Sequence, residues 1–183
     1  MKKGLLVYKS KYGATKKYVS LLREELCCHV CEAKSCKDFH LESYAWIIFA
    51  GGIYAGHIAG LDVLRKQYPR IKEKRLAVFC VGASPFDEKS FAQIKAQTLK
   101  QELRKIPAFY GRGAWDESRM TWLDRTLCGM LKKAVSKKDP ASCEPWMKEL
   151  LSSTGQSCDW TDREYLLPLI AYIKGFSSEQ SRK

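Results

Sequence analysis

The sequence predicts an α/β domain whose five-stranded parallel sheet is wound with helices on both faces. Strand-length apolar runs recur through the first 110 residues, and segments of helical periodicity separate them. The runs at 46–50 and 76–81 are apolar at every position, the pattern of strands covered on both sides. Parallel strands joined by right-handed crossovers meet that requirement, because the crossovers lay helices on both faces.

Residues 4–8 form the first strand, a short apolar run containing β-formers. In 14–26 the apolar residues Tyr18, Val19, Leu22 and Leu26 recur three or four apart, which is helical spacing. Residues 29–33 make a weaker second strand and 46–50 the third. A short helix is expected over 61–68 and the fourth strand over 76–81. Phe91, Ile94, Thr98 and Leu103 mark a longer helix, and 106–110 is the fifth strand.

Beyond Tyr110 the alternation stops. The segment 112–158 exceeds ordinary loop lengths and carries its own helical pattern. Met120, Leu123, Leu127, Met130, Leu131 and Ala134 share one face, with Arg125, Lys132 and Lys133 largely off it. Such a stripe either packs onto the sheet or, with Trp115, Trp122 and the basic residues, lies on a membrane surface; both readings stand. Residues 136–158, including Lys137-Lys138-Asp139-Pro140 and Ser152-Ser153-Thr154-Gly155, read as irregular connection. Thr161-Asp162-Arg163-Glu164 opens the last helix as a capping box. Pro168 should kink that helix or delay its start, and the polar tail from Ser177 should fray. The chain therefore reads as one domain over 1–183, with a basic helical insert at about 112–158, after the fifth strand begins.

Composition supports a globular domain. Of 183 residues, 45% are hydrophobic and 28% charged, with 12 Gly and 6 Pro, which excludes collagen-like, low-complexity and wholly disordered chains. A chain of this length buries roughly 70% of its unfolded surface, so its core needs no staples. Its 32 Lys+Arg against 20 Asp+Glu give a net charge of +12, which calls for an anionic partner. Charge alone suggests nucleic acid, but no basic helix-turn-helix, zinc finger or aromatic-decorated sheet accompanies it, so no nucleic-acid partner is expected. Met1-Lys2-Lys3-Gly4 leads into an apolar run too short for a signal-peptide core. The longest apolar stretch, 46–56, falls far short of the ~20 residues that span a bilayer. A cytoplasmic, reduced protein is expected, with peripheral contact at the inner membrane face left open. Cys27, Cys28, Cys31 and Cys36 crowd together, and Cys28-x-x-Cys31 has metal-ligand spacing. No second such pair follows and Cys80, Cys128, Cys143 and Cys158 stand singly, so the thiols read as core filler and no metal is expected.

The first strand ends in Tyr8-Lys9-Ser10-Lys11-Tyr12-Gly13-Ala14-Thr15 and passes at once into a helix. A phosphate there would meet free backbone N–H groups and the positive end of the helix dipole. Ser10 and Thr15 would add hydroxyls, and Gly13 would allow close approach. A plain strand-to-helix turn capped by Ser10 or Thr15 accounts for the same residues. The loop is neither a Walker A nor a Gly-x-Gly-x-x-Gly fingerprint. Two further loops fall at carboxyl ends of strands, where doubly wound sheets bind ligands. They are Gly51-Gly52-Ile53-Tyr54-Ala55-Gly56-His57 and Gly82-Ala83-Ser84-Pro85-Phe86-Asp87.

Ser10-x-x-Gly13-x-Thr15 after Leu6-Val7-Tyr8 resembles the FMN-phosphate loop of flavodoxins, departing at Val19, where that family often has Ala. The resemblance implies a flavodoxin-like fold with FMN as cofactor. It implies binding by Ser10, Lys11, Tyr12, Gly13, Ala14 and Thr15, by Gly52, Ile53, Tyr54, Ala55 and Gly56, and by Ser84, Pro85, Phe86 and Asp87. Tyr54 or Phe86 would lie against the flavin ring, or simply pack within their loops. Flavodoxins are acidic and lack the insert. On both counts the chain is closer to the bacterial menaquinone-dependent protoporphyrinogen oxidases. It resembles them at Ile53 with Gly56-His57, at Trp122-Leu123-Asp124-Arg125 and at Thr161-Asp162-x-Glu164, and departs at Tyr54-Ala55, where they tend to carry Arg-Tyr.

That resemblance implies that electrons leave a porphyrinogen in two-electron steps, pass through FMN and reach a quinone, in the route to heme. A flavodoxin-type electron carrier with a redox-protein partner, or an FMN quinone reductase acting on another substrate, is the other reading. No acid–base or nucleophile constellation is apparent, as suits a protein whose flavin carries the chemistry. His57 either hydrogen-bonds the ring or substrate or caps the next helix. Nine Lys/Arg against three acids between 104 and 138 hold half the chain's charge excess. Guanidinium forks suit the propionates of a porphyrin, which nominates Arg112, Arg119 and Arg125.

Overall fold

The computed structural model of the chain describes residues 4–139, 142–152 and 157–180. Its strands are β1 (Leu5–Lys9), β2 (His29–Glu32), β3 (Trp46–Tyr54), β4 (His57–Ile58), β5 (Arg75–Gly82), β6 (Ala108–Arg112), β7 (Ala114–Asp116) and β8 (Ser157–Asp159). The helices are α1 (Ala14–Leu26), α2 (Leu61–Ile71), α3 (Glu88–Thr98), α4 (Trp122–Val135), α5 (Pro145–Ser152) and α6 (Leu167–Gln180). Five parallel strands run in the order β2-β1-β3-β5-β6, the flavodoxin-like arrangement that the sequence predicts. The order reverses between β1 and β3, so the crevice for a ligand lies outside their carboxyl ends.

Strand side chains alternate between faces, and both faces are buried. Leu5, Val7, Ile47, Phe49, Val78 and Cys80 point to the side covered by Leu61, Leu64 and Ile71 of α2 and Phe91 of α3. Leu6, Ile48, Ala77 and Phe79 point to the other, covered by Tyr18 and Leu22 of α1 and Leu169 and Ile173 of α6. Each large side chain sealed in this way contributes roughly 1.5–3 kcal/mol of transfer free energy. Cys28, Cys31, Cys36 and Cys80 are buried among these residues, and burial pushes the Cys28 thiol up to about 11. Among the described residues, no group of three or more His, Cys, Asp or Glu could hold a metal ion.

Several elements differ from the sequence reading. The glycine-rich stretch after Ala50 is not a loop: β3 continues to Tyr54 and turns back antiparallel as β4, pairing Ile53 with Ile58 and Tyr54 with His57. The two turn residues, Ala55 (φ 47°) and Gly56 (φ 76°), both have positive φ, which matches the twist of a two-residue hairpin. Helix α2 passes its expected end at Tyr68, because Pro69 in the last turn removes one bond without preventing burial of Ile71. The third helix stops at Thr98, and Leu103 lies instead in a 3₁₀ turn. The fifth strand is shifted two residues onward, so Arg112 closes β6 rather than opening the insert.

Residues 136–158 are more ordered than an irregular connection. They hold α5 and β8, and β8 pairs antiparallel with β7. Pro140, Ser153, Thr154 and Gly155 of the expected connection lie outside the described residues. The capping box forms differently too. Asp162, not Thr161, accepts from the Glu164 N–H (2.8 Å), while the Thr161 hydroxyl donates to Asp159 (2.7 Å). A 3₁₀ turn over 163–166 follows, and Pro168 stands second in α6, where its missing N–H costs little. The α6 backbone runs past Ser177 to Gln180, and the rest of the expected fraying tail lies outside the described residues.

Candidate functional site

The first turn is built by an abrupt change of backbone hand. β1 ends at Lys9, the Ser10 hydroxyl accepts from the Gly13 N–H (3.1 Å), and Gly13 takes the left-handed conformation (φ 98°) to start α1. Neither Ser10 nor Thr15 caps the helix; its N-cap is Gly13, with no side-chain cap bond. The positive end of α1 is thus presented to the crevice.

A cavity of about 580 Å³ opens there, within the usual range for small-molecule sites. Its floor is the first turn, with Ser10, Lys11, Tyr12, Ala14 and Thr15 in its lining. Gly52, Ile53 and Tyr54 of β3 and Val81, Gly82 and Ala83 at the end of β5 form two more sides. The insert closes the fourth with Trp115, Met120, Asp124 and Cys128.

Not every nominated residue reaches this cavity. Gly13 shapes the turn without lining the cavity, and Ala55 and Gly56 form the hairpin tip. His57 is exposed on β4, and Gly60, not His57, caps α2. Ser84, Pro85, Phe86 and Asp87 lie outside the lining. The Ser84 carbonyl accepts from the Tyr110 hydroxyl (2.5 Å), Phe86 packs on Phe91 and Tyr110, and the Asp87 carboxylate caps α3 by accepting from the Ser90 N–H (2.8 Å).

Arg112 is held from three sides. It donates to Glu149 (2.8 Å) and to the Ala83 carbonyl (3.2 Å), and its guanidinium stacks 3.9 Å from the Trp160 ring centroid. It ties α5 and the chain after β8 to the end of β5. Arg125 donates to the carbonyls of Ser118 and Met120 (3.3 and 3.4 Å). Arg119 is exposed.

The residue that joins the cavity's parts was not singled out from the sequence. Asp124 is buried at 4% exposure and accepts from the Lys11 ammonium (2.5 Å), the Tyr54 hydroxyl (2.5 Å) and the Tyr12 hydroxyl. The Tyr12 oxygen in turn accepts from the Thr121 N–H (3.3 Å), and Thr121 caps α4. Lys11 also lies 4.4 Å from the Tyr54 ring centroid. Hydrogen bonds from Lys11, then Tyr12 and Tyr54, hold the Asp124 carboxyl well below the usual carboxylate range, and the same contact raises Lys11. One insert carboxylate thus clasps the first turn and the β3 hairpin together. Trp115, whose indole donates to Glu117 (3.3 Å), is a second wall residue outside the expected binding set.

An open doubly wound sheet with a crevice at its switch point, floored by an uncapped helix start, is the architecture in which α/β domains of the doubly wound class receive ligands. A flavodoxin-domain family model matches residues 5–142, and the chain belongs to that family. Among solved structures it is similar to a WrbA-like flavodoxin from Agrobacterium tumefaciens, at 17% identity over 68% of this chain and 88% of that one (TM-score 0.44). It is also similar to a flavoprotein from Lactobacillus acidophilus in complex with FMN, at 16% identity over 61% and 93% (TM-score 0.41). A third similar structure is a Fusobacterium nucleatum flavodoxin bound to flavin mononucleotide, at 12% identity over 59% and 69% (TM-score 0.37). No curated protein sequence matches the chain.

Proposed function

We propose that the chain binds FMN in this cavity and works as an FMN-dependent oxidoreductase. The carrying observation is the convergence of the first turn, the end of β3 and the end of β5 on one cavity beside an uncapped helix start. The donor set fits the cofactor. Backbone N–H groups at the start of α1 with the hydroxyls of Ser10 and Thr15 suit a phosphate. A Cβ on Gly52 would stand 3.6 Å from the Thr15 hydroxyl, in space that its absence keeps open above the turn. Ile53, Val81, Ala83, Trp115 and Met120 supply apolar wall for a planar ring. FMN supplies hydride and electron transfer, and the protein supplies binding, orientation and exclusion of water.

Replacing Ser10 and Thr15 together with Ala is expected to weaken FMN binding by roughly tenfold or more, as loss of two hydroxyl partners to a charged group should. Titration of flavin fluorescence with the double variant checks this. An unchanged affinity would remove the phosphate from the first turn.

For the substrate, the resemblance at Trp122-Leu123-Asp124-Arg125 favours oxidation of protoporphyrinogen with menaquinone as acceptor, a step of heme synthesis. Because Arg112 is committed to Glu149 and Trp160, the porphyrin propionates would fall to Arg119 and Arg125. Electron carriage to a redox protein, or quinone reduction with another donor, uses the same cavity. Anaerobic mixing of FMN-loaded protein with protoporphyrinogen IX separates them. The porphyrinogen reading expects bleaching of the flavin and recovery of its colour on adding a menaquinone analogue. A flavin that stays oxidised would leave the carrier or reductase reading.

A further inference from the structure

We propose that α4 docks on an anionic lipid surface, lying flat with its outward stripe in the headgroup layer. Helix α4 turns its apolar residues away from the protein. Leu123 is 63% exposed, Met130 56% and Leu127 51%, with Leu131 and Ala134 on the same exposed stripe, and Trp122 at the start of the helix is 77% exposed beside it. The side that packs inward carries Asp124 and Val135, the latter against Met147 and Leu150 of α5. The stripe therefore does not pack onto the sheet, the simpler of the two expectations for it. An apolar face of this kind on a folded surface marks an interaction site.

The charges around the stripe select the partner. Lys133 lies on the solvent side of α4, and Lys137 and Lys138 follow its end; all three are exposed. The only acid within α4, Asp124, is buried and occupied by Lys11. Asp139 is the one exposed acid that follows directly. Cations beside an apolar stripe, with an exposed tryptophan at the helix start, are the pattern of an interfacial helix, whose basic residues meet anionic headgroups while its apolar residues enter the acyl boundary. Among the described residues no helix is long and apolar enough to cross a membrane, so the contact is one of lying on the surface.

A second copy of the chain fits less well. A 14-residue helix is about 21 Å long, and a stripe about 10 Å wide along it offers roughly 200 Å². A stable interface needs about 800 Å² from each partner. Pairing would also bring the lysine clusters of two +12 chains together. A bilayer needs no matching surface and lowers its free energy by approaching those cations.

Sedimentation of the full chain with vesicles of mixed phosphatidylglycerol and phosphatidylcholine, against vesicles of phosphatidylcholine alone, tests the proposal. The chain is expected to pellet with the anionic vesicles only, and to leave them as salt rises and screens the lysines. Leu123→Ser, Leu127→Ser and Leu131→Ser combined should lower that partition by roughly tenfold or more, since membrane affinity scales with the apolar area inserted. All three side chains are exposed, so the variant keeps its fold, and an unchanged far-UV spectrum and melting curve check this. Lys133→Glu with Lys137→Glu should weaken binding and flatten its salt dependence. A chain that stays in the supernatant overturns the proposal. So does equal binding by the triple-serine variant, or a dimer in light scattering that this variant dissolves. Binding only to an acidic protein, with no vesicle partition, overturns it as well. None of these readouts depends on whether flavin is bound.

Discussion

Asp124→Ala is expected to lower FMN affinity by roughly ten- to a hundredfold while leaving the sheet folded. Removing the carboxylate strips the common acceptor from Lys11, Tyr12 and Tyr54, and loss of charge-assisted bonds of this kind has effects of that size. The first turn and the β3 hairpin would then lose the contact that holds the insert over them. Two measurements check this. Flavin titration should show the weakened affinity, and limited proteolysis should cut the variant within the insert before the rest. Asp124→Asn keeps an acceptor for the two hydroxyls and should fall between. Equal affinity and an identical cleavage pattern in Asp124→Ala would mean that the clasp has no part in binding.

The same carboxylate sets a pH expectation. Its folded-state value lies below its unfolded one, so its contribution is complete above about pH 4 and is lost only as acid titrates the lowered folded-state group. Proteolysis of the insert should therefore be flat from pH 8 to pH 5, and protection should fall away only in strong acid. Loss of protection around pH 6 would point to another group, since no histidine touches the clasp among the described contacts.

Gly51→Ala should be the most damaging single substitution near the site. A Cβ there would stand 2.0 Å from the Ala59 carbonyl oxygen, a backbone atom with no rotamer to yield. Ala59 is fixed because its N–H donates to the Gly52 carbonyl (2.9 Å) where the chain leaves β4. Overpacking against backbone costs about 3 kcal/mol or more. Relief requires opening the β3–β4 hairpin, which carries Ile53 and Tyr54 into the cavity. Denaturant unfolding should show the loss in midpoint. An unaltered midpoint would mean that this corner yields more easily than its packing implies.

Much of the fold was legible because it is written locally. Continuous apolar runs announce strands buried on both faces, and Tyr18, Val19 and Leu22 announce α1 by spacing alone. The hairpin was hidden because Gly51, Gly52 and Gly56 weaken a strand pattern, and here Gly51 marks a close backbone approach to Ala59 while Gly56 supplies a positive φ to the turn. α5, β7 and β8 were hidden because three to eight residues carry too little periodicity to register.

The site divides the same way. Ser10, Thr15, Gly52 and Tyr54 lie in or beside turns with recognisable chemistry, and all four reach the cavity. Asp124 is 112 residues from Tyr12, and an acid inside a basic helix reads as a solvated side chain. A signal did exist: Asp124, Cys128 and Val135 share one helix face beside the apolar stripe, about a quarter-turn from its centre, and the clasp depends on that face being the inward one. The stripe misled because an apolar helix face ordinarily packs inward, whereas here the inward side is anchored by the Asp124 carboxylate and by Val135.

The way the insert leaves and rejoins the sheet bears on how such a chain can change over time. Ala114–Asp116 pairs with Ser157–Asp159, so the polypeptide departs and returns through adjacent rungs of one small ladder. Just before it, the Gly113 carbonyl accepts from the Trp160 N–H (3.0 Å), which pins the two stems together. Whatever is threaded between the stems is closed at its base, and doubling its length adds only about 0.6 kcal/mol of closure entropy. The parallel sheet is thereby insulated from what happens in the excursion. A lineage can lengthen it, shorten it or exchange its contents without moving a single strand register, and so rebuild the cavity's fourth side while inheriting the three that the sheet supplies.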